Sequence, residues 1–159
     1  FGGHLGNYYV IMFFPGPLRY ELFETALTGA GYNSGGMPAY VSDYETHHGR
    51  REYAYDTAGG YYAARLPLLQ KLHDQKQRAS VLALRFITNE YYCPLGVWVV
   101  REAVKKCLQN DPIIFEDKEY MLKYAKSLIE KKFRYDSSKI LSESKLLNEI
   151  KTQRRLVDF

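Results

Sequence analysis

The run Asn7–Phe14, NYYVIMFF, is closed at once by Pro15-Gly16-Pro17, and that junction limits what the chain can become. So short a run cannot cross a bilayer, which takes about 20 apolar residues in a helix. No basic segment precedes it, as one would in a secretory leader. An aromatic and β-branched run ended by a breaker is a buried strand. Ser80–Ile87, SVLALRFI, is the clearest second example. Ala39–Glu45 and Arg51–Asp56 alternate well enough to be two more strands, joined by the turn-like Thr46–Arg50.

Between these lie segments of helical period. Leu18, Leu22, Phe23, Ala26 and Leu27 predict a helix over Leu18–Leu27. The Gly-rich stretch 28–38 is a loop. From Gly59 onward Tyr62, Ala63, Leu66, Leu69 and Leu72 predict a second helix, which Pro67 should kink or restart. Thr88–Gly96 reads as a loop, and Val97–Leu108 as a strand turning into a helix or as one buried helix. After Asp111-Pro112 the composition changes. Lys118–Phe133 and Ser142–Lys151 are amphipathic, Lys- and Glu-rich helices separated by a polar stretch. The expected fold is α+β: a mixed sheet with flanking helices in residues 1–110, a helical C-terminal extension in 111–152, and a terminal peptide in 153–159.

Charge follows the same division. Residues 1–100 balance eight Lys/Arg against eight Asp/Glu, whereas residues 101–159 carry fourteen against ten, so the net charge of +4 lies entirely in the last third. Such an excess suits phosphate contact and equally suits a solvated helical surface. Cys93 and Cys107 stand in no CxxC or Cys/His spacing. With no leader, no span and no disulfide framework, a cytoplasmic protein without a membrane partner is expected. The chain begins at Phe1 rather than Met, which suggests part of a longer polypeptide.

Two segments carry chemistry. The last seven residues are QRRLVDF, where Gln153, Leu156 and Phe159 fit Q-x-x-aliphatic-x-x-aromatic, the core of peptides that bind a replication sliding clamp. One turn of 3₁₀ helix places residues three apart on one side, so Leu156 and Phe159 would enter one apolar pocket while the Gln153 amide holds the strand leading to it. The two adjacent aromatics of the fuller motif are reduced here to Phe159. The competing reading is a final helical turn packed on the domain.

The second segment is Asp43–Arg65, rich in tyrosine, arginine and carboxylate. Gly59-Gly60 precedes a predicted helix, whose N-terminus can hold a phosphate. Arg65 would add charge, and Arg50, Arg51, Tyr61 and Arg85 would extend the site toward DNA. The plainer reading is a strand-to-helix turn. Arg85, Glu90, Arg101 and Glu102 gather near a Pro/Gly loop and form either a structural ion-pair set or a ligand cleft. Adjacent His47-His48 is no metal spacing, so no metal is expected, and no catalytic constellation or cofactor motif stands out.

LGNYYVIMFFPGPLRYEL, DYETHHGRREYAYDTAGGYYAARLPLL and QRASVLALRFITNEYYCPLGVWVVREAV together resemble the archaeal Nre family of DNA-repair proteins, from Leu5 to about Leu108. The resemblance implies a role in tolerating DNA damage, with a C-terminal clamp-binding peptide. Members are longer, often with an N-terminal zinc-binding segment, so the likeness is to the C-terminal part and any metal belongs elsewhere. QRASVLALRF is also similar to the glutamine-led strand of DNA-targeting ADP-ribosyltransferases. There Ser80 stands where the catalytic Glu is expected, which would leave a nucleotide-binding shape without that chemistry. Three readings follow: a repair adaptor binding DNA and clamp, an enzyme whose cleft uses Tyr61, Arg65, Arg85 and Glu90, and a protein-binding module.

Overall fold

The computed structural model describes residues 1–31, 33 and 35–152. The chain divides into two compact units, Phe1–Ile114 and Phe115–Phe159. In the first, β1 (Gly2–His4), β2 (Asn7–Pro15), β3 (Tyr20–Ala26), β4 (Ala39–Glu45) and β5 (Ala79–Ile87) form one mixed sheet in the order β1-β2-β5-β3-β4. The β3–β5 pair is parallel and the other pairs are antiparallel. Every residue of β5 is buried, which places the most continuously apolar run of the sequence at the centre. Helices α1 (Ala58–Asp74) and α2 (Val97–Leu108) pack together, and their Tyr61, Ala64, Leu68, Val100 and Val104 join Tyr9, Tyr20, Leu22, Val81 and Ala83 of the sheet in one core.

Two expectations need correction. Leu18–Leu27 contains strand β3, not a helix. This strand is buried on both faces, with Leu22 and Phe23 both almost fully enclosed. Successive strand residues face opposite ways, so an interior strand needs apolar neighbours in sequence, and that clustering imitated helical spacing. Arg51–Asp56 is not a strand either. Its backbone donors go to side chains instead: Ala54 N–H to the Tyr62 hydroxyl at 2.9 Å and Tyr55 N–H to Asp43 Oδ1 at 3.3 Å. Helix α1 runs through the buried Pro67 as a single element rather than restarting there.

The second unit holds α3 (Lys118–Phe133), α4 (Ser138–Glu143) and α5 (Lys145–Thr152). The Asp117 side chain caps α3 by accepting the Glu119 N–H. Ser144 interrupts the helix expected over Ser142–Lys151. Its hydroxyl accepts the Leu147 N–H at 3.1 Å, so it ends α4 and caps α5. No described helix is long and apolar enough to cross a membrane.

Candidate functional site

The sheet register builds a polar row on the face that carries α1. Tyr9 of β2 lies opposite Arg85 of β5, and Arg85 lies opposite Glu24 of β3. The Arg85 guanidinium, only 6% exposed, donates to Glu24 Oε1 at 2.6 Å and to Asn7 Oδ1 at 3.0 Å. Burial alone would make so enclosed a cation less basic. The neighbouring Tyr9 hydroxyl and the Glu24 carboxylate outweigh it, and the pKa of Arg85 is raised. Burial pushes the Tyr9 and Tyr20 hydroxyls well above their usual pKa, so both stay protonated. Neither has a hydrogen-bond partner among the described residues. The Tyr61 ring lies 4.8 Å from that of Tyr20, and its hydroxyl is likewise raised, by burial and then by the charge of Glu45.

Toward the sheet edge the same face carries Asp43 and Glu45, and each takes an arginine. Arg65 donates from Nη2 and Nε to Glu45 Oε1 at 2.7 and 2.8 Å. Arg50 pairs with Asp43 Oδ1 at 3.2 Å and donates to the carbonyls of Tyr44, Glu52 and Tyr53, which ties the segment after β4 together. Its guanidinium also lies over the Tyr61 ring, 5.1 Å from the centroid. Asp43 Oδ2 accepts the Thr57 N–H at 2.8 Å and the Thr57 hydroxyl at 2.9 Å, just before α1 begins. The anion at the entrance of this helix is thus a carboxylate of the chain itself. Burial works to raise the pKa of Asp43, but the Thr57 and Tyr55 donors and Arg50 bring it below the ordinary value.

Gly59 and Gly60 have a packing role. A Cβ on Gly59 would lie 2.9 Å from Val97 Cγ1, and one on Gly60 would lie 2.7 Å from Glu24 Oε1. Of the residues expected to bind phosphate, Gly59, Gly60, Tyr61, Arg50, Arg65 and Arg85 are brought together here, with all three arginines in ion pairs. Arg51 is exposed and forms no ion pair among the described residues. Glu90 is not part of this cluster. It accepts the Tyr8 hydroxyl at 2.9 Å, and Tyr8 faces away from Tyr9 along the strand. Arg101, Glu102 and Lys105 form a separate surface chain on α2. The His47 and His48 rings lie tilted to each other with centroids 3.9 Å apart, and no group of three or more His, Cys, Asp or Glu suited to a metal occurs among the described residues. Gln153, Leu156 and Phe159 lie outside the described residues.

Sequence reasoning singled out the segment but not its exposed aromatics. Tyr53 is 65% exposed and Tyr55 89%, and the Tyr53 ring packs against that of Tyr62, tilted, with centroids 4.8 Å apart. The available signal was the density of tyrosine around α1. Which of those rings turn outward depends on a loop whose backbone bonds to side chains, and no periodicity encodes that.

A family model described as archaeal Nre, C-terminal, matches residues 45–159. DNA repair protein NreA of Archaeoglobus fulgidus is 37% identical over 130 residues, covering 81% of this chain and 32% of that protein. DNA repair protein NreA of Haloferax volcanii is 32% identical over 67% of the chain and 26% of its own length. DNA repair protein NreB of Archaeoglobus fulgidus is 28% identical over 96% of the chain and 38% of its own length. No solved structure matches. The chain spans about a third of the length of these relatives, and by the residues it shares with their C-terminal model it belongs to the archaeal Nre family.

Proposed function

We propose that this chain is the C-terminal module of a cytoplasmic DNA-repair protein, one that docks onto a replication sliding clamp through Gln153, Leu156 and Phe159 and contacts DNA. The observation that carries the reading is the identity with relatives named as DNA repair proteins over most of the chain. The clamp partner rests on the spacing of QRRLVDF, which directly follows α5 in sequence. DNA contact is supported by the basic excess of the last third.

An alternative is a nucleotide-binding cleft of ADP-ribosyltransferase type. The buried Tyr9 hydroxyl beside Arg85 and the buried Tyr20 hydroxyl, both without a hydrogen-bond partner among the described residues, favour it. Against it, Glu24, Asp43 and Glu45 are each held by an arginine, and Glu90 by Tyr8. Carboxylates held in this way are suited to structural pairing rather than to taking a proton from a substrate. A calorimetric titration of archaeal sliding clamp into the chain tests the docking role, with saturable binding at one peptide per clamp subunit expected. Labelled DNA titrated at about 50 and 200 mM salt tests the second contact, which should weaken at least several-fold. No heat with the clamp and no DNA binding at low salt would leave the proposal without support.

A further inference from the structure

Helix α3 has one side set into its unit and one side left open. Ala125 and Ile129 are buried. At 3.6 residues per turn the opposite side carries Tyr120, Lys123, Tyr124, Ser127 and Lys131, and Arg134, the C-cap, continues the line. All six are exposed, Tyr120 by 66% and Tyr124 by 44%. Glu119 and Glu130 border the stripe on its Lys123 side. Lys123, Lys131 and Arg134 form no ion pair among the described residues, unlike Arg50, Arg65 and Arg85 of the first unit. The Lys123 ammonium lies over the Tyr120 ring, 5.6 Å from its centroid, and Phe115 supports the Tyr124 ring at 5.4 Å.

The helix macrodipole accounts for part of this, because it favours cations such as Lys131 in the last turn. It gives no reason for Lys123 in the N-terminal half, nor for two tyrosine rings held in water on the same line. We infer that this stripe is a binding face for single-stranded DNA, with phosphates on Lys123, Lys131 and Arg134 and unpaired bases stacked on Tyr120 and Tyr124. Charge selects a polyanion. The rings select an unpaired strand, since bases inside a duplex are already stacked on each other. Tyr120 and Tyr124 are one turn apart, about 6 Å along the axis, so they can receive neighbouring bases of an extended strand. The inference rests on the DNA contact proposed above and places it in the unit that also carries the clamp peptide.

Fluorescence anisotropy with the full chain tests it, using labelled oligothymidylate of about 20 nucleotides and a duplex of equal length between about 50 and 200 mM salt. The wild-type chain should prefer the single strand. Lys123→Ala with Lys131→Ala should weaken binding at least about fivefold and reduce the salt slope by about 1.4, near 0.7 for each phosphate no longer neutralised. Lys123→Arg with Lys131→Arg should keep both. Tyr120→Ala with Tyr124→Ala should weaken single-strand binding by about fivefold or more and leave duplex binding nearly unchanged. These residues are exposed, so thermal melts should match the wild type and exclude unfolding as the cause. As a control in the first unit, Arg51→Ala with Tyr53→Ala should change affinity by less than about twofold on this assignment. If the wild type binds with a salt slope and the α3 variants bind equally well, the inference is overturned while DNA contact stands. Loss confined to the Arg51 and Tyr53 variant overturns it in the same way. A wild type that binds no DNA at low salt overturns both, and equal affinity for the duplex overturns the single-strand assignment.

Discussion

Gly60 and Glu24 meet so closely that a Cβ on Gly60 would lie 2.7 Å from Glu24 Oε1, the oxygen that receives Arg85. The absence of a side chain at one position of α1 therefore sets the place of a carboxylate on β3, and that carboxylate sets the buried guanidinium on β5. This chain of contacts is how the helix is keyed to the sheet. It also changes what a glycine substitution reports, because a variant at Gly60 disturbs an ion pair before it can disturb any ligand.

Gly60→Ala should push the Glu24 carboxylate off Arg85 and destabilise the fold by about 1–3 kcal/mol, the usual range for overpacking a close contact. Urea denaturation should show a lower midpoint with an unchanged slope. An unaltered midpoint would mean that the contact yields freely.

Glu24→Ala removes the charge partner outright and leaves Arg85 enclosed with Asn7 alone. Breaking a buried pair from one side costs about 3–5 kcal/mol. The variant should melt far below the wild type, and a loss under about 1 kcal/mol would show that Asn7 and water satisfy Arg85 on their own.

Asp43 makes the fold sensitive to acid. Its pKa in the folded chain is lowered from 3.8, because the hydrogen bonds from Thr57 and Tyr55 and the charge of Arg50 outweigh burial. A group with a depressed folded pKa contributes stability above its unfolded value and loses that contribution as pH falls through the folded value. Stability measured from about pH 5 down to pH 2 should therefore fall as Asp43 protonates. Asp43→Asn should be less stable at neutral pH and show a shallower acid limb. Parallel limbs for the two chains would remove Asp43 as the cause.

The elements that could be read from the sequence are those with a single rule behind them. Asn7–Phe14 and Ser80–Ile87 are long apolar runs and became β2 and β5. Lys118–Phe133 has an amphipathic period, and became α3 within the same bounds. Where two rules competed, the weaker local signal misled. Leu22 and Phe23 were spaced for a helix but are needed on opposite faces of β3. Arg51–Asp56 alternated like a strand, yet Asp43 and Tyr62 take its backbone donors. At the site, the proximity of Gly59, Gly60, Tyr61 and Arg65 was legible because they share one helix. Glu24 was not, since its place beside Gly60 and Arg85 depends on a parallel strand pairing across some sixty residues.

The most direct prediction concerns the last seven residues. Leu156 and Phe159 are three apart, so one 3₁₀ turn puts both on one side, and Gln153 is a further three residues back. A stripe meant only for packing on its own domain has no use for an amide at the third position, whereas a peptide entering a pocket can use it to hold the approaching strand. Anchors of this type commonly cost about 2 kcal/mol or more when truncated, which is a more than tenfold drop in affinity. Phe159→Ala should therefore weaken clamp binding at least about tenfold by calorimetry, and deletion of 153–159 should abolish it. Neither change should lower the melting temperature. If the deletion leaves clamp affinity unchanged, the partner is held elsewhere on the chain. If it instead lowers the melting temperature by several degrees, Leu156 and Phe159 pack on the protein itself, and the terminal peptide is part of the fold.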